Sequence, residues 1–144
     1  MANVFTYSFE DTSLTFTHPG FGNYSAYGTG LGSLSVAFTN DISSHDVASD
    51  CAVVVSKWAV RNGTVTIEVL QSSDLNKWLR DFTSWLETAE SGQFALATMD
   101  IVNKSTGDTY HCTGVTPQKK ADNQFNSTAS RRTWTLLCAD ISSQ

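Results

Sequence analysis

The stretch from Asn62 to Gly92 changes its hydrophobic period part-way along. Val65, Ile67 and Val69 fall on one side, and Thr64, Thr66 and Glu68 on the other. That two-residue period belongs to a half-buried strand. Leu75, Trp78, Leu79, Phe82, Trp85 and Leu86 then recur every three or four residues, which puts them on one stripe of a helix. Ser72 or Ser73 suits the N-cap, Asp74 suits the positive end of the helix dipole, and Gly92 can close the far end in a left-handed conformation. The spacing predicts a helix over about residues 73–90, and no other segment has the pattern of a long helix. Its aromatic stripe is expected to cover a β-sheet core, with insertion into a partner's groove as the alternative reading.

The rest of the chain alternates with period two. Phe5, Tyr7 and Phe9, and then Leu14 and Phe16, predict one bent strand or two short ones. Residues 18–33 carry Gly20, Gly22, Gly28, Gly30 and Gly32 and read as a loop or a pair of tight turns. Leu34, Val36 and Phe38 give a strand whose other face is Ser33, Ser35, Ala37 and Thr39. The polar, acidic run Asn40 to Asp50 follows, then a strand over Ala52 to Val60 and an Asn62-Gly63 turn signal. These three strands are expected to form a meander with one long tip. After the helix, Phe94 to Val102 and Tyr110 to Thr116 are expected to pair across a turn at Asn103–Asp108, with Pro117 ending the second strand. A long polar segment, Gln118 to Arg132, has Phe125 as its apolar anchor, and a last strand runs from Thr133 to Ile141. The pattern is mainly β: a two-sheet sandwich or barrel with one flanking helix, and residues 1–144 are expected to be a single domain.

Charge narrows the function. The net charge of −5 argues against a surface that grips nucleic acid through its phosphates. Charged residues make up only 16%, and the polar faces are built from Ser, Thr and Asn instead. Cys51, Cys112 and Cys138 are too widely spaced for a zinc motif or a disulfide framework, and the latter two fall in strands as small buried residues. The first residues do not combine a basic stretch with an apolar run, so no signal peptide is expected, and no apolar stretch approaches a membrane span. On that reading the sequons at Asn23, Asn62, Asn103 and Asn126 reflect composition alone.

The search for chemistry comes back empty. His18, His45 and His111 lie in separate segments with no metal-site spacing; His18 falls in a turn and His45 in the acidic tip. Asp41, Asp46 and Asp50 share a loop but lack the glycine and terminal glutamate of a calcium loop. Gly28, Gly30 and Gly32 lead into a strand, so phosphate would find no helix N-terminus there. No serine elbow or nucleophilic cysteine motif is present. The chain therefore reads as a non-enzyme with no catalytic residues, no metal and no cofactor. What stands out is architectural: sheets with one apolar and one small polar face, open edges that need a partner, and two projecting segments of opposite charge.

Three stretches carry a resemblance that runs through nearly the whole chain. Tyr7 to Gly20, Asn62 to Ser73, and Thr116 to Lys120 with the later Trp134 occur in the order and spacing of the tail tube proteins of contractile-tailed bacteriophages and phage-tail-like bacteriocins, which the chain resembles. The glycine-rich insert after Gly20 and the loop Gln124–Thr128 depart from that pattern. The resemblance implies a structural subunit that forms homohexameric rings. The rings stack into a hollow conduit inside a contractile sheath, for passage of DNA or ions. It implies the tail sheath, baseplate and tail-terminator proteins as partners, no membrane, and DNA only in transit. The place is the virion or a tail-like particle, assembled in the bacterial host cytoplasm.

On that resemblance, Asn40, Asp41, His45, Asp46 and Asp50 would form a hairpin tip reaching a neighbouring subunit. Lys119, Lys120, Arg131 and Arg132 would meet acidic loops of another subunit or ring. Ser33, Ser35, Thr39, Thr64, Thr66 and Glu68 would line the lumen, where an acidic wall lets phosphate slide. The competing reading is a carbohydrate- or receptor-binding, adhesin-like β-sandwich that stacks sugars on Trp58, Trp134, Tyr24 and Tyr27, although the strand positions of both tryptophans point to the core. A lipocalin-like barrel lacks the regular hairpin count.

Overall fold

A computed structural model describes residues 4, 6–8, 11–26, 31–122, 125–128 and 130–143. The alternating runs become strands, here named β1 (Thr12–His18), β2 (Gly22–Ala26), β3 (Leu31–Phe38), β4 (Ser43–Val47), β5 (Val53–Lys57), β6 (Gly63–Leu70), β7 (Ala97–Asn103), β8 (Asp108–Pro117), β9 (Arg131–Cys138) and β10 (Asp140–Ser143). The one long helix, α1, spans Asp74–Thr88, and a short 3-10 turn follows at Ser91–Gln93.

Two layers face each other. In one, β2 pairs β1, β1 pairs β7, β7 pairs β8 and β8 pairs β10, all antiparallel. In the other, β3 pairs β6 and β6 pairs β9. The layers are joined at a corner, where the end of β8 reaches β9 through Thr116 opposite Leu137 and Pro117 opposite Leu136. Alternation decides what lies between them. Leu14, Phe16, Met99, Ile101, Cys112 and Ile141 point inward from the first layer, and Val65, Ile67, Val69, Trp134, Leu136 and Cys138 from the second. The chain is therefore mainly β, a sandwich with one helix.

The helix closes the open side of this sandwich. Ser73 is its N-cap, and its hydroxyl accepts the Asn76 N–H at 3.2 Å. Leu75, Leu79, Phe82 and Leu86 are buried, whereas Trp78 and Trp85 are only partly so and pack at the rim. Trp78 stacks on Phe16 and Phe82 at centroid distances of 5.1 and 5.0 Å. Across the core, the Trp134 indole N–H donates to Asn76 Oδ1 at 3.0 Å, which satisfies a buried amide in the helix stripe. The helix stops two residues short of the expected end. Its C-cap is Ala89 in an extended conformation, and Gly92 lies beyond in the 3-10 turn, so no left-handed glycine closes it.

Several expectations need correction. The expected first strand rests on Phe5 and Phe9, which lie outside the described residues; Thr6–Ser8 take no regular structure. The glycine-rich stretch holds a strand, β2, rather than only turns. His18 is not in a turn. It ends β1 with 2% exposure, where Nδ1 accepts the Gly20 and Phe21 N–H groups and Nε2 donates to the Gln93 carbonyl at 2.8 Å. The last strand is two strands: β9 pairs β6, the chain bends at Ala139, and β10 pairs β8. The strand after the helix begins at Ala97, not Phe94. The Asn103–Asp108 turn forms as expected, closed by Asn103 Oδ1 accepting the Thr106 N–H and by Gly107 at φ 78°.

The expected meander does not form. β3 pairs β6 directly, with Phe38 opposite Gly63, and β4 and β5 pair only with each other. A Cβ at Gly63 would collide with the Ala37 carbonyl, so glycine lets the two strands close at that point. The Asn62-Gly63 signal thus marks where a long insertion rejoins the sheet, not a hairpin turn.

Candidate subunit interface

The insertion between β3 and β6 is an arm. Every residue from Asp41 to Arg61 is exposed. Its neck is tied three times: the Thr39 N–H donates to the Asn62 carbonyl at 3.1 Å, the Asn40 and Asn62 side-chain amides bond each other, and the Trp58 N–H donates to the Ile42 carbonyl at 2.8 Å. At the far end the Ala48 N–H donates to the Ala52 carbonyl at 2.8 Å, and Cys51 turns the chain with φ 67°. Asp50 Oδ1 accepts the Ala52 N–H, so this carboxylate shapes the tip.

The arm's register sorts its side chains. His45 lies opposite Val55 and Val47 opposite Val53 on one face; Asp46 lies opposite Val54 on the other. Trp58 and Ile42 continue the Val54 face, and the Trp58 indole N–H reaches Ser44 Oγ at 3.4 Å. Both faces are therefore apolar and both are open: Val53, Val54 and Val55 are 50%, 59% and 61% exposed. A lone two-stranded hairpin is marginally stable in water, and burying each valine fully contributes about 1.5–3 kcal/mol. This surface is built to be covered.

Of the five residues assigned to a hairpin tip, only Asp50 is there. Asn40 is half-buried in the neck, Asp41 lies at the arm's base, and His45 and Asp46 sit on opposite faces of β4. Sequence reasoning named the polar residues of the arm and missed Ile42, Val53, Val54, Val55 and Trp58. A signal was available: Ala52 to Val55 is apolar at consecutive positions, which means both faces seek cover. Trp58, expected in the core, is 51% exposed.

The polar-face residues do come together. Ser33 lies opposite Glu68, Ser35 opposite Thr66 and Ala37 opposite Thr64, and Thr133 and Thr135 extend the same face on β9. Thr39 lies just past β3, exposed at the arm's neck. The Arg131 guanidinium donates to Glu68 at 3.0 Å, so the one carboxylate of this face is paired.

The basic segment is less available than its sequence implied. Lys120 pairs with Glu87 of α1 at 3.3 Å, and Lys119 lies 3.9 Å from Asp122. Arg132 is 2% exposed and donates to Ser130 Oγ. The two-residue period of β9 puts it on the same inward face as Trp134, so it cannot meet another subunit from there. Phe125, expected as the segment's anchor, is 85% exposed, and Ala121 packs against the core instead.

Among the described residues the aromatics named for a sugar platform do not come together. Trp134 is buried, Tyr24 packs on Trp78 at 5.7 Å, and Tyr27 lies outside the described residues. Among the described residues no group of three or more His, Cys, Asp or Glu side chains is placed to hold a metal ion, and no helix is long and apolar enough to cross a membrane. The Cys112 and Cys138 thiols are buried side by side, and the Cys138 thiol together with burial pushes Cys112 well above the ordinary thiol range.

Solved structures with the same fold are tail components. A sheath/tube terminator of an extracellular contractile injection system (PVC) superposes with a TM-score of 0.63 at 10% identity, over 99% of each chain. A chain of the anti-feeding prophage (AFP) baseplate gives 0.61 at 13% identity, over 100% of this chain and 97% of that one. A chain of the PVC sheath–tube complex gives 0.60 at 10% identity, over 96% and 91%. Among curated proteins no sequence matches the chain. The two-layer sandwich with one helix fits that company, and the sequence profile that matches residues 4–144 gives the family: the chain belongs to the bacteriophage PhiTE tail tube protein family.

Proposed function

We propose that this tail tube subunit acts as a single domain that joins in homohexameric rings, which stack into a hollow tube within a contractile sheath. One observation carries the reading: the arm of Ser43–Lys57, which bears apolar side chains on both faces and is exposed along its whole length among the described residues. A heterologous contact between identical subunits buries such a surface and, with the right rotation, closes a ring. The outer face of β3, β6 and β9 lines the channel. Its Ser and Thr residues are uncharged and its one cation, Arg131, is paired with Glu68, so phosphate finds little net grip and DNA or ions pass without specific binding. The open edges of β2 and β3 favour further pairing between copies.

The sheath, baseplate and tail-terminator proteins are the proposed partners, in a virion or tail-like particle assembled in the host cytoplasm. The fold neighbours from a sheath–tube complex, a tube terminator and a six-fold symmetrised baseplate support that choice. Negative-stain electron microscopy of the purified protein over a concentration series, with light scattering in parallel, tests it. Rings or hollow tubes are expected. A strict monomer at every concentration that binds glycans would move the assignment to an adhesin-like module.

A further inference from the structure

The arm has an acceptor. An open cleft of about 440 Å³ lies where the β3 edge of one layer overhangs the other layer. Leu34 and Val36 line it from β3, Ile101 from β7 and Tyr110 from β8, with Thr106 and Asp108 at the mouth. Leu34, Val36 and Tyr110 are only partly buried and pack against the core from this side, so they form an apolar patch among the polar Thr12, Ser33 and Asn103 of the lining. We propose that the arm of a second copy of this chain docks in this cleft, with the Val53–Val55 face against Leu34, Val36 and Tyr110.

The proposal rests on the ring-and-tube reading and specifies where the ring contact is made. Two observations favour a second copy as the occupant. The surfaces are complementary: an exposed valine strand on one part of the molecule and, on another, an open cleft with a patch of Leu34, Val36 and Tyr110, which suits a head-to-tail contact. The charges also match. Lys57 ends β5 on the same face as Val53 and Val55, and Asp108 stands at the cleft mouth; among the described residues neither is in an ion pair. Docking the valine face brings these opposite charges to the rim, where complementarity sets register more than affinity.

Cys51 supplies the test, since it is exposed at the arm's tip while Cys112 and Cys138 are buried. Thr106→Cys places a second exposed thiol at the cleft mouth; Ser84→Cys on the outer face of α1 is the control. Particles are assembled, checked by electron microscopy and treated with a short bismaleimide. The expected result is a ladder of linked subunits from Thr106→Cys and at least ten-fold less from Ser84→Cys. Tubes that form normally and give no ladder above the control, or links confined within single subunits, overturn the cleft assignment and leave the tube reading intact. Wild-type protein that stays a strict monomer at every concentration and binds glycans overturns the tube reading and this inference with it. A charge exchange gives a second readout: Lys57→Glu and Asp108→Lys each slow assembly, and the pair together restores it. Failure of that rescue in tubes that also give no ladder closes the case against the cleft.

Discussion

The helix and the arm are both insertions between strands that carry large apolar side chains, yet they end differently. α1 carries its apolar stripe onto a sheet in the same chain, where Leu75, Leu79, Phe82 and Leu86 disappear from solvent. The arm carries a load of valine, isoleucine and tryptophan that stays exposed. The helix stripe has one apolar side and needs one surface. The arm is apolar on both sides, so no single layer of its own subunit could satisfy it. On the proposed function, stability resides in the first region and assembly in the second, and the two should be separable by mutation.

Phe82→Ala should have the largest effect on the folded subunit, about 3–5 kcal/mol lost through a core cavity, read by denaturant unfolding of the monomer. His18→Ala comes next. It removes the acceptor of two backbone N–H groups and the donor to Gln93, and about 2–3 kcal/mol should go with them. Arg61→Ala breaks an exposed ion pair to Asp140 and should cost no more than about 1 kcal/mol, less in high salt. Val54→Asp should change monomer stability by under about 0.5 kcal/mol and yet remove tubes from the electron micrographs. If Val54→Asp instead unfolds the monomer, or assembles normally, the division between the two regions fails. The finest probe is thiol labelling. Only Cys51 of the three cysteines should react in the native monomer, and assembly should protect it.

Periodicity made most of the fold readable. The strand-to-helix switch at Leu70–Asp74, the six-residue helix stripe and the Asn103–Asp108 turn all follow from local spacing and capping chemistry. The arm was harder, because spacing says that Ala52 to Val60 is a strand but not which strand it pairs. Direct pairing of β3 with β6 depends on Gly63 and on an amide pair between Asn40 and Asn62, contacts that appear only once the chain has closed. Burial of polar residues was equally hidden. His18 and Arg132 look like surface residues by type, but their parity along β1 and β9 turns them inward, where backbone and hydroxyl partners receive them. The polar outer face of β3 and β6 was legible as small residues on one side of two strands. The third strand of that face, through Thr133 and Thr135, and the pairing of Glu68 with Arg131 were not.

The corner where the two layers join has a mechanical meaning. β9 is laced to β6 by eight successive residue pairs, from Gly63–Cys138 to Leu70–Arg131, but to β8 by only two. On the proposed function, load on the tube would pass through the strand ladders of each subunit, and tension across the layers would concentrate at the shortest one. The Thr116–Pro117 corner is therefore the place to yield first, a fold line along which the sandwich can shear while the β3–β6–β9 wall stays whole.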